Sequence, residues 1–130
     1  MKKILLLLFS VFSFALAYSQ PYGNEWINYS QPYYKIKVAS DGVYRIPYTT
    51  LNTSIPGLSS LTGANFTMYH NGVNIPIYVS TSSTLGSADY IEFIGRKNDG
   101  ELETSLYKDS IYQMHNLFSL FSDTSSFYLT

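Results

Sequence analysis

The stretch Phe66-Thr67-Met68-Tyr69-His70-Asn71-Gly72-Val73-Asn74-Ile75-Pro76-Ile77-Tyr78-Val79 decides the fold class. Phe66, Met68 and His70 share one side of an alternating run, and Val73, Ile75, Ile77 and Val79 share one side of the run that follows. Period-two alternation marks a half-buried strand. Asn71-Gly72 between the runs suits the two-residue turn whose central residues both take positive φ. The stretch therefore reads as a β-hairpin. Pro76 donates no ladder hydrogen bond, so the returning strand lies at a sheet edge or breaks there. His70, beside the turn, is expected at the solvent edge.

The same grammar extends outward. In residues 33–48, Tyr34, Ile36 and Val38 point one way and Tyr33, Lys35 and Lys37 the other. Asp41-Gly42 then leads into Val43-Tyr44-Arg45-Ile46, which predicts another hairpin, with the two lysines on a solvated face. Residues 48–52 promise one helical turn, stopped by Ile55-Pro56-Gly57. Residues 89–95 alternate as a strand, and residues 96–103 form a charged loop around Asn98-Asp99-Gly100. Residues 105–116 fit either a short helix or an excursion between sheets. Residues 117–122 are strongly apolar and are expected to be buried. Residues 126–130 alternate again, with Phe127 and Leu129 on one face; this run reaches the last residue and reads as a strand of a longer, truncated domain. At least five strands without a long helix make an all-β antiparallel sandwich or barrel-like domain built from hairpins, with at most short helical turns.

Residues 1–19 read as a secretory signal peptide: Lys2 and Lys3, an apolar run over residues 4–16, then small residues around Ala15 and Ala17. The run is short for a membrane span. Export to the periplasm, cell surface or exterior follows, leaving residues 20–130 as one β-domain. That part carries six basic and nine acidic residues, which disfavours nucleic acid. The chain has no Cys, so an N-terminal lipid anchor, disulfides and a thiolate nucleophile are all excluded within it. Thirteen tyrosines and few charges suit an extracellular β-protein.

Little in the residues points to catalysis. The two histidines, His70 and His115, lie 45 positions apart, with no Gly-x-Ser-x-Gly elbow and no zinc spacing. No catalytic or cofactor-binding residue is assigned. Asn98, Asp99 and Glu101 are weak calcium candidates, with Glu103 in the same loop and Glu92 and Asp109 as neighbours, but the spacing is not that of an EF-hand and Arg96 and Lys97 offset the charge. Asn28, Asn52 and Asn65 head Asn-x-Ser/Thr sequons, and Asp109-Ser110-Ile111 matches a short O-glycosylation motif. Trp26 is read as a structural anchor. Tyr33, Tyr69, Tyr78 and Tyr90 offer an alternative: a stacking platform for glycans, or a partner-binding module.

Four stretches carry a family resemblance. They are Trp26-Ile27-Asn28-Tyr29 leading into Tyr33-Tyr34-Lys35-Ile36-Lys37-Val38; Asp41-Gly42-Val43-Tyr44-Arg45-Ile46; residues 89–102; and residues 119–130. In this order they resemble the N-terminal region of secreted Bacteroidetes proteins of the gingipain-like family (peptidase family C25), which includes the sortase of the type IX secretion system. The resemblance implies a non-catalytic β-domain placed before a caspase-like cysteine peptidase domain. Its implied partners are that downstream domain and the type IX machinery. Neither histidine lies in the catalytic motif of such proteins, so no catalytic role transfers to them.

Overall fold

A strand buried on one face needs a second layer to cover it, and this chain supplies two sheets that cover each other. The computed structural model describes residues 23–115 and 117–130. The signal peptide assigned to residues 1–19 lies outside the described residues.

Among the described residues seven strands follow in chain order: β1 (Tyr34–Val38), β2 (Gly42–Pro47), β3 (Met68–His70), β4 (Val73–Ile75), β5 (Ile77–Val79), β6 (Tyr90–Gly95) and β7 (Ser125–Leu129). One sheet has the order β1-β7-β3-β4 and the other β2-β6-β5, all antiparallel. The result is a β-sandwich, as the alternation predicts. Among the described residues one short α-helix, α1 (Tyr48–Ser54), occupies the predicted helical turn. Its Leu51, with Ile55 and Leu58 beyond it, is buried in the core.

Alternation sets the inner faces. Tyr34, Ile36 and Val38 of β1, Phe127 and Leu129 of β7 and Met68 of β3 face Ile91 and Phe93 of β6 and Ile77 and Val79 of β5. Phe93 and Phe127 meet across the layers with ring centroids 5.2 Å apart. The most deeply buried strand side chains, Val38, Met68, Ile91, Phe127 and Leu129, come from β1, β3, β6 and β7, on the inner faces of both sheets.

The two predicted hairpins fare differently. Asn71 and Gly72 both take positive φ, 49° and 80°, and β3 pairs with β4 across them. Pro76 then breaks the returning run, and β5 crosses to the other sheet instead of extending β4. The Asp41-Gly42 hairpin does not form. β1 pairs over five positions with β7, and β2 over six with β6, so the two strands belong to different sheets. Gly42 has no positive φ, and the Asp41 carboxylate accepts the Lys97 backbone N–H at 2.8 Å, while the Tyr44 hydroxyl donates to the Ser40 carbonyl. These bonds make the segment a corner between layers. Ladders with partners distant in sequence outweigh the local turn signal.

β7 is paired on both sides, by β1 and by β3.

Candidate functional site

Between β6 and β7 the chain makes a long excursion, and its polarity is inverted. A 3-10 turn spans Glu101–Leu106 and another Ser110–Tyr112. Gly100, at φ 83°, starts the first of them. Polar side chains hold the segment from within. Gln113 donates to the Gly100 carbonyl at 3.0 Å and accepts from the Thr104 hydroxyl at 2.7 Å. The buried Ser119 hydroxyl donates to the Glu103 carboxylate and accepts the backbone N–H groups of Phe121 and Ser122. The Asp109 carboxylate caps the second turn through Ile111 N–H.

Glu103, Thr104, Gln113 and Ser119 turn inward, and most of the large apolar side chains face out. Leu102, Leu106, Ile111, Tyr112 and Met114 are exposed, Met114 at 83%. So are Leu117, Phe118, Leu120 and Phe121, Phe121 at 75%. The expectation that residues 117–122 are buried is therefore overturned: the side chain that goes inside is Ser119, because its hydroxyl has three partners there. A single exposed leucine is ordinary, but nine large apolar side chains on one short segment are not. The segment also holds the one buried side-chain polar atom without a partner among the described residues, His115 Nδ1, beside a ring contact to Phe118.

A second feature lies at the foot of this segment. A cleft of about 540 Å³ opens between Trp26, the Asn71-Gly72 turn and the 97–102 loop, with His70 and Tyr128 in its walls. Trp26 packs on the outer face of the four-stranded sheet against Tyr33, Tyr69 and Tyr128, at centroid distances of 5.5, 5.1 and 5.6 Å. It also covers Gly72, where an added Cβ would stand 3.0 Å from the indole. Trp26 is thus an anchor with one side on the cleft.

His70 is not a solvent-edge residue. It is half-buried, and Nδ1 lies 3.1 Å from the Ser126 carbonyl. A carbonyl only accepts, so Nδ1 carries the proton. The calcium candidates do not converge as side chains. Asn98 Oδ1 accepts Gly100 N–H and Asp99 Oδ1 accepts Glu101 N–H, two successive turns, while Glu92 pairs with Arg45 at 2.8 Å. Among the described residues no three His, Cys, Asp or Glu side chains come together as a metal site. The four tyrosines form no common platform either: Tyr33 and Tyr69 lie on one sheet, while Tyr78 and Tyr90 pair on the other, 6.1 Å apart. Beside them the Arg45 guanidinium lies over the Tyr90 ring at 4.0 Å, and Glu92 raises its pKa above the ordinary value.

The inverted segment and the cleft were not read from the sequence as sites. The signal was present in residues 101–121, where apolar residues recur without a clean strand or helix period and alternate irregularly with Ser, Thr, Glu and Gln.

No described helix is long and apolar enough to cross a membrane. The chain matches no family model, no curated protein and no solved structure with which it was compared.

Proposed function

We propose that this chain is the non-catalytic N-terminal β-domain of an exported gingipain-like cysteine peptidase or type IX secretion sortase, and that it packs against or restrains the peptidase domain. The supporting observation is the inside-out segment at residues 101–121. Its backbone is fixed by its own polar groups, and nine of its large apolar side chains are exposed among the described residues. Such a surface suits a partner that presents a matching apolar face, and covering it contributes binding energy of about 25 cal/mol per Å² of apolar area before the costs of association are counted. A domain that docks this way needs no reactive groups of its own. Export places it in the periplasm, at the cell surface or outside.

The resemblance in residues 26–38, 41–46, 89–102 and 119–130 names the occupant, and the coding sequence that follows Thr130 tests it. A caspase-like domain with a Cys-His pair in the same frame is the expected finding. A frame that codes for no peptidase domain overturns the reading. The purified chain is also expected to show no cleavage after Arg or Lys; turnover abolished by substituting His70 would contradict the non-catalytic role.

A further inference from the structure

A sugar ring presents an apolar face of C–H groups and a girdle of hydroxyls that both donate and accept. A site for one needs an aromatic wall, fixed groups of both hydrogen-bond senses and no strong net charge. The cleft beside Trp26 has these together. Trp26 and Tyr128 meet at 51°, an angled aromatic wall anchored by the surrounding tyrosines. Facing it, the 97–102 loop holds its polar side chains in place through the backbone. Asn98 and Asp99 each commit one oxygen to a turn N–H, which fixes their orientation and leaves the Asn98 amide N–H groups and Asp99 Oδ2 without partners among the described residues. The Lys97 backbone is fixed by Asp41, and its ammonium has no partner among the described residues. His70, whose Nδ1 donates to the Ser126 carbonyl, stands in the wall of the same cleft.

We propose that this cleft binds a neutral saccharide of one or two hexose units. Its volume of about 540 Å³ falls within the roughly 300–1,000 Å³ of small-molecule sites. Lys97 and Asp99 bring one charge of each sign to the lining, so a phosphate or carboxylate would meet Asp99 as well as Lys97, whereas a polyol can donate to one and accept from the other. The cleft adjoins the apolar docking segment, sharing Leu102 with it, but the saccharide reading does not depend on the peptidase reading.

Trp26 is the only tryptophan, so its fluorescence reports on the cleft directly. The purified chain is titrated with neutral disaccharides of glucose, galactose, mannose and N-acetylglucosamine, and with glucose 6-phosphate. At least one neutral sugar is expected to give a saturable change. Asp99→Asn, which keeps the turn acceptor, and Lys97→Gln are each expected to weaken it about tenfold, the scale of a hydrogen bond to a charged group, with circular dichroism unchanged. Tyr78→Ala, on the other sheet, is expected to leave it intact. No saturable response to any neutral sugar, a response to the phosphate alone, or an affinity unchanged in both loop variants overturns the proposal.

Discussion

The His70 imidazole lies flat on the Phe127 ring, with 4.1 Å between centroids and 9° between planes. The two residues are direct partners in the β3–β7 register, and the imidazole also donates to the Ser126 carbonyl. His70 therefore closes one end of the core. Replacing it with Ala removes the ring contact and the hydrogen bond together, at an expected cost of about 2 kcal/mol. Urea unfolding measures this as a lower midpoint with an unchanged slope.

Two glycines are held by space and not by backbone angle. At Gly63 an added Cβ would stand 1.8 Å from the Thr81 carbonyl oxygen, and at Gly95 it would stand 2.6 Å from the Tyr44 ring. A ring can shift more readily than a backbone carbonyl. Gly95→Ala is expected to cost about 1–3 kcal/mol, and Gly63→Ala more than that. Thermal melts of the two variants should rank in that order.

Asp89 links β5 to β6. The Ser80 hydroxyl donates to one carboxylate oxygen and Gly86 N–H to the other, at 2.6 and 2.7 Å. These bonds, the Ser80 one foremost, hold its pKa below the ordinary 3.8. A carboxylate depressed in the folded state stabilises above its unfolded pKa and loses that stabilisation as pH falls through the folded value. The melting temperature should thus decline as pH drops below about 4. Ser80→Ala should flatten this acid limb, seen as a melting temperature less dependent on pH in that range.

The strands were legible because a sheet with one buried face writes a period of two into the chain. The Asn71-Gly72 turn was legible because its two positive φ angles demand those residues. Asp41-Gly42 carries a similar word with another meaning: which ladder a strand joins depends on β6 and β7, dozens of residues away, and no local pattern records that. Residues 117–122 misled for a related reason. Apolar content predicts burial only when nothing polar competes, and the three partners of Ser119 turn its neighbours outward. The Trp26 cleft gathers residues from four separate stretches, a juxtaposition that only the sandwich creates.

If the exposed apolar side chains at residues 101–121 serve docking, they contribute little to the fold. Met114→Asp and Phe121→Asp, at positions already open to water, are expected to change stability by no more than about 0.5 kcal/mol. Binding of an apolar dye should fall in both. Paired urea unfolding and dye fluorescence check this.

Under the proposed function, this apolar face is covered by a peptidase domain. Hydroxyl-radical footprinting of Met114 and Phe121, in this chain alone and in a polypeptide that joins it to the proposed peptidase domain, is the decisive measurement. Heavy labelling of both residues is expected in the chain alone, and strong protection when the peptidase domain is present. Equal labelling in the two would contradict it.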